Sequence, residues 1–173
     1  MGQRLNIEIH ANGKLLANSY LHWSAYTDSA LYLTKQLVNK TEYLCHLPED
    51  FTDKEKAVWL LQGIAGGLCY DGSEKLVRPI FLEAWSRNDG LICLSEEEME
   101  GTRNWEEGRV TIDIERKEID FDVWFSNEYE GNAHKVYDNP HVLTFENFGV
   151  FYDKTFNQNF VIPFSNRYLH PIR

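Results

Sequence analysis

Two groups of residues in this chain have types and spacings that could do chemistry. The first lies in RVTIDIE and EIDFDVWF, residues 109–115 and 118–125. Folding these runs against each other about Arg116 and Lys117 puts Val110, Ile112 and Ile114 opposite Val123, Phe121 and Ile119. That makes one apolar face. On the other face Arg109 meets Trp124, Thr111 meets Asp122, and Asp113 meets Asp120, with Glu115 alongside. Two carboxylates opposite each other in an antiparallel pair repel unless something neutralises them. A basic partner surface, an internal Lys or Arg, or a hard divalent cation would do so. Solvent screening of an exposed polar face is the plainest account. No Asp-x-Asp-x-Asp-Gly loop is present, so a metal is not expected.

The second group is Arg87, Asn88, Arg103, Asn104, Trp105 and Arg109. Guanidinium forks bind phosphate or carboxylate bidentately, and an indole offers a stacking plate for a base. Such a group is a candidate ligand site for a nucleotide-type molecule in an otherwise acidic chain. The simpler account is that Arg103 and Arg109 neutralise neighbouring glutamates and Trp105 belongs to the core.

Motifs for catalysis are missing. The six histidines, His10, His22, His46, His134, His141 and His170, never pair at HxH or HxxxH spacing, and HExxH is absent. There is no GxSxG, Walker A or GxGxxG sequence. GIAGG (63–67) ends a helix rather than opening one, the wrong end for holding phosphate. Cys45 and His46 are adjacent in a loop, an arrangement that seldom makes a dyad. Removing Met1 would expose Gly2, which has no nucleophile. The expectation is a protein that is no enzyme and uses no cofactor or metal.

The elements that must position these groups follow from periodicity. RLNIEIH (4–10) alternates Leu5, Ile7 and Ile9 with polar residues, a half-buried strand. Asn12-Gly13 is a hairpin turn, returning through KLLANSYLHW. In SAYTDSALYLTKQLVNK, Ala30, Leu31, Thr34, Leu37 and Val38 fall at helical spacing, with Ser24 or Thr27 as the cap. Tyr20, Trp23 and Tyr26 pack the corner before it. Thr52 and Glu55 form a capping box for a helix carrying Val58, Leu61, Ile64 and Ala65 and stopping at Gly66-Gly67. PIFLEAWSR (79–87) reads as a helix opened by Pro79, and RNDG (87–90) as a turn. Ser95 and Glu98 cap an acidic helix, SEEEMEGTRNWEEG, that Gly108 ends before the hairpin. Residues 127–141 form a polar connection, and VLTFENFGVF and FVIPF read as two more strands with a turn at YDKTFNQN. Strands at both ends with helices between them imply an α+β fold. Its expected form is an antiparallel sheet of hairpins packed on one side by three to four helices.

Composition sets the frame. One globular domain spanning 1–173 is expected from the length, and 14% aromatic residues argue for a folded core. Twenty-seven acidic residues against 17 Lys and Arg leave a charge of −10, and no basic stripe suited to nucleic-acid backbone is present. No apolar run reaches membrane-spanning length, and MGQRLNIEIHANGK lacks the apolar segment of a signal peptide. Three cysteines without a CxxC pair fit a reducing cytoplasm. An open edge on the first hairpin would favour a homo-oligomer.

MGQRLNIEI, LANSYLHWSAYTDSALYLTKQ and RNDGLICLSEEEMEGTRNWEEGRVTIDIE resemble a family of small uncharacterised proteins of bacteriophages and prophages of Firmicutes. The resemblance covers roughly the first two-thirds of the chain and carries no catalytic residues with it. It implies a setting in the host-cell cytoplasm, where small acidic phage proteins counter bacterial immunity. Some block a CRISPR-Cas or other anti-phage effector by masking a basic surface; others sequester a nucleotide-derived immune signal without cleaving it. The first role would fall to Asp113, Glu115, Asp120 and Asp122, the second to the Arg/Trp group.

Overall fold

A computed structural model describes residues 4–22, 24–25, 27–64, 67–69, 90–123 and 142–155. Seven strands form one sheet: β1 (Leu5–Ala11), β2 (Lys14–Leu21), β3 (Gly67–Cys69), β4 (Gly90–Cys93), β5 (Gly108–Asp113), β6 (Glu118–Asp122) and β7 (Val142–Thr144). Their spatial order is β3-β4-β2-β1-β5-β6-β7. The described helices are α1 (Thr27–Thr41), α2 (Asp53–Leu61), α3 (Glu96–Arg103) and α4 (Phe145–Thr155), with a 3-10 turn at Leu44–His46. The α+β class is as expected.

The sheet is mixed rather than wholly antiparallel, because β5 lies parallel to β1 and β3 lies parallel to β4. β4 is antiparallel to β2, and β2 to β1, so β4 and β5 run the same way. A parallel connection needs a crossover. Here α3 makes it, and must pass over one face of β2 and β1 to do so. Helices therefore cover both faces, not one.

The first face is apolar. Leu5, Ile7 and Ile9 of β1, Val110 and Ile112 of β5, and Ile119 and Phe121 of β6 join one buried cluster. From the helices, Leu31, Leu33, Leu37, Val58, Leu61 and Phe148 complete it, each such side chain contributing about 1.5–3 kcal/mol on burial. The helical stripe of α1 is as expected: Ala30, Leu31, Thr34, Leu37 and Val38 are all buried. So is the α2 cap, where Thr52 Oγ1 accepts from the Glu55 amide at 3.1 Å and Glu55 accepts from the Thr52 amide at 3.0 Å.

The hairpin turn sits at Asn12 and Gly13, whose φ angles of 51° and 84° suit a two-residue turn between twisted strands. Three expectations change. The helix behind Ser95 ends at Arg103, not Gly108, and Gly108 opens β5. The second helix, α2, ends at Leu61 with Gln62 as its C-cap, short of the expected stop at Gly66-Gly67, and Gly67 itself opens β3. VLTFENFGVF is not one strand: only Val142–Thr144 pair, and Phe145 onward is α4. Thr144 Oγ1 accepts from the Asn147 amide at 3.0 Å, starting the helix. Phe145, Phe148, Phe151 and Tyr152 then share one face against the core. The helix at 79–87, the turn at 87–90, the connection at 127–141, the strand FVIPF, the tail, Trp23, Tyr26, Ala65 and Gly66 lie outside the described residues.

Candidate partner-binding face

Position in the strands decides what the second face carries. Asn6, Glu8 and His10 alternate with the core residues of β1; Asn18 and Tyr20 adjoin them on β2, and Arg109 and Thr111 on β5. Beyond these, β6 contributes Glu118, Asp120 and Asp122 at two-residue intervals. The face thus divides into a part under α3 and a part beside it.

Under α3 the contacts are ionic and directional. Arg103 donates from Nε and Nη2 to the two oxygens of Glu8 at 2.7 and 2.8 Å. His10 Nε2 meets the same carboxylate at 3.0 Å, and Arg109 Nε lies 4.0 Å from it. Arg109 also forks onto Glu106, which accepts from Asn6 Nδ2 at 2.7 Å. Asn18 donates to Asn6 and to Thr102 of α3, both at 3.0 Å. The Arg4 amide donates to the Glu107 side chain and the Glu107 amide to the Arg4 carbonyl. Only Met99 of α3 is buried, so polar contacts rather than apolar burial hold this helix to the sheet.

Glu8 has 1% of its side chain exposed. Burial alone pushes its carboxyl up, but the hydrogen bonds from His10 and Arg103 and the charges of Arg103 and Arg109 outweigh it, holding it at about 2. An ionised carboxylate only accepts. His10 Nε2 therefore carries the proton that points at Glu8.

Asp113 leaves the acidic face. It pairs in register with Glu118, not Asp120, and it is buried. Its carboxylate accepts from the amides of Asn12, Gly13, Glu115 and Arg116 at 2.8–3.1 Å. Burial raises its pKa, but these four N–H groups hold it below the usual carboxylate range. The same bonds build a four-residue turn over Ile114–Lys117, with Lys117 at a φ of 54°. The expected pairing is therefore displaced by two residues: Val110 faces Phe121, Ile112 faces Ile119, Arg109 faces Asp122 and Thr111 faces Asp120. A displacement of two keeps every side chain on its face, so the apolar and polar sides are as the pattern assigns them. Glu115 is exposed in the turn, away from the strip.

What remains of the predicted acidic site is Asp120, exposed, and Asp122, half-buried, joined by exposed Glu118. Val142 of β7 lies opposite Asp120 and is 58% exposed. Of the Arg/Trp group, Arg103 and Arg109 come together over Glu8 and Glu106, Asn104 is exposed, and Arg87 and Asn88 lie outside the described residues. Trp105 is not core: it is 63% exposed, with the Arg4 guanidinium 5.9 Å from its ring. Sequence reasoning missed Glu8, His10, Asn6, Asn18 and Glu106. The signal was the polar half of RLNIEIH, which reads as a solvent side until a helix is known to lie on it.

Among the described residues no cluster of His, Cys, Asp and Glu could hold a metal ion, and no helix is long and apolar enough to cross a membrane. Compared with protein-family models, curated proteins and solved structures, the chain matches none.

Proposed function

We propose that this protein is a non-catalytic binding domain that docks a basic surface of a partner through the β6 strip, Glu118, Asp120 and Asp122. In the phage setting the resemblance implies, the partner is a host defence effector, CRISPR-Cas or another anti-phage protein, met in the host cytoplasm. One observation carries this reading. Arg103 and Arg109, on the same face as the strip, are engaged by Glu8 and Glu106. The carboxylates of Glu118 and Asp122 stand on the same face, at the neighbouring strand and apart from the Glu8 and Glu106 ion pairs, on a chain of charge −10. Charges so placed steer association and fix which surfaces meet.

The nucleotide-signal reading has the exposed Trp105 ring beside Arg4 in its favour. Against it, the forks of Arg103 and Arg109 already hold carboxylates.

Binding to a panel of purified defence effectors, measured at low and high salt, tests the proposal. Asp120→Lys combined with Asp122→Lys is expected to weaken the salt-sensitive complex on the order of tenfold or more, with the thermal unfolding midpoint retained. Equal binding by the double variant removes β6 as the contact.

A further inference from the structure

Cysteine stands at positions 45, 69 and 93 of this chain, and the two intervals are both 24 residues. Spacing alone therefore favours neither Cys45–Cys69 nor Cys69–Cys93. The sheet decides between them. β3 and β4 run parallel, and Cys69 and Cys93 are partners at the last position of their register. Register partners on neighbouring strands share a face and stand about 4.8 Å apart, inside the range of Cα separations that a disulfide spans. The next strand shows which face this is. Cys93 is also in register with Asn18, which bonds to Thr102 of α3. Cys93 is buried and in the thiol form.

Cys45 sits elsewhere. It is exposed on the 3-10 turn after α1, at a hollow shared with Ile114, Glu115 and Lys117. In the order of the sheet, β4, β2 and β1 separate β3 from the β5–β6 hairpin that carries those residues.

We propose that Cys69 and Cys93 form a reversible disulfide that clasps β3 to β4, closed by hydrogen peroxide and opened by a dithiol. One thiol, as its thiolate, attacks a peroxide oxygen. The O–O bond breaks, a sulfenic acid forms, and the departing hydroxide takes up the thiol's proton and leaves as water. The second sulfur then attacks the first. The S–S bond forms, the S–O bond breaks, and a second water carries off the second proton. Two thiols and one peroxide give one disulfide and two waters, each sulfur losing one electron to the oxygens. A dithiol reverses the step by exchange and itself becomes a disulfide.

The fold makes this a bond that opens again. A disulfide prefers its Cβ atoms about 3.8 Å apart, closer than the strand spacing, so closing it draws β3 towards β4 against some strain. Strained disulfides are the readily reduced ones. β3 is free to follow: it has three residues, and β4 is its one neighbouring strand among the described residues. In a reducing compartment such a pair is a transient, redox-responsive contact rather than a permanent staple. It acts on the edge of the sheet and on the end of β4, from which Leu94 and Ser95 lead into α3. The inference is independent of the β6 contact, since neither thiol belongs to that strip.

The test treats the full chain with dilute hydrogen peroxide, once folded and once in urea. Each sample is then alkylated, digested without reductant and mapped by mass spectrometry. In urea the equal intervals predict equal yields of the Cys45–Cys69 and Cys69–Cys93 links. In the folded chain the Cys69–Cys93 link is expected to exceed Cys45–Cys69 on the order of tenfold or more, and a dithiol should remove it. Amide exchange at Leu68 and Cys69 should be roughly tenfold slower in the oxidised chain than in the reduced one. Cys45→Ser, at an exposed position, should leave the link intact. No Cys69–Cys93 link in the folded chain, equal yields folded and unfolded, a link that a dithiol does not open, or unchanged exchange in β3 would each overturn the inference.

Discussion

The two faces of this sheet are held down by different physics. On one, Ile7, Val110, Ile112 and Phe121 pack against α1, α2 and α4 in a cluster with no required direction. On the other, Asn6, Glu8 and Asn18 lie buried under α3, held by hydrogen bonds and ion pairs of fixed geometry. Both faces exclude water above β1, where all but His10 of Leu5–Ala11 is buried. The difference lies in what each tolerates. The apolar face accepts changes of shape within its volume. The polar face tolerates the loss of a charged partner poorly, because a buried charge without its partner costs more than the pair contributes.

The largest expected effect probes the apolar face. Phe148 is fully buried on α4 and stacks loosely with Phe121, Phe151 and Tyr152 at centroid distances of 6.3–6.4 Å. Phe148→Ala should cost about 3–5 kcal/mol in urea unfolding, by a similar amount at mildly acid and neutral pH. A loss well below this would mean that α4 is not a structural part of the core.

Arg103→Ala tests the polar face. It leaves Glu8 buried with only His10 and a distant Arg109, and should cost about 3 kcal/mol, the low end for breaking a buried pair. This loss has a pH signature that Phe148→Ala lacks. The folded pKa of Glu8 is lowered from 4.5 to about 2, so the unfolded chain binds more protons between those values. The stabilisation, roughly 3 kcal/mol, is complete above pH 4.5 and disappears as pH falls toward 2. Wild type and Arg103→Ala should therefore converge in stability across that window. Parallel stability curves would show that Arg103 acts through packing alone. Replacing Glu8 and Arg103 together by leucine should restore most of the loss, since a well-packed apolar pair often matches a buried ion pair.

Trp105→Ala gives the smallest effect. At 63% exposure the ring is outside both faces, and its removal should shift stability by less than about 0.5 kcal/mol in the same unfolding assay. A core-sized loss would move Trp105 into the polar network.

Much of the local structure was legible in the residues. Asn12-Gly13 announces its turn because those two residues tolerate positive φ, and Thr52 with Glu55 announces the α2 cap because both orphan amides find partners within one turn. The apolar stripe of α1 and the faces of β5 and β6 follow from periods of 3.6 and two. Other features were misread for identifiable reasons. Thr144 and the Phe145–Phe148–Tyr152 spacing were a helix start and stripe hidden inside an apolar run that also suits a strand. The hairpin slipped by two residues because the Asp113 carboxylate gathers four amides from two turns, and one of those turns lies about a hundred positions away in sequence.

The sequence by itself determined which residues share a face, where α2 and α3 begin, and the surplus of negative charge. These depend on neighbours a few positions apart, where backbone geometry leaves few choices. Only the tertiary structure decided that β5 lies parallel to β1 and that α3 crosses over Glu8. It likewise decided that Arg103 and Arg109 are engaged inward while Asp120 and Asp122 face out. Those outcomes depend on which strand becomes the neighbour of β1. That choice is made by burial summed over the whole chain, and no local pattern records it.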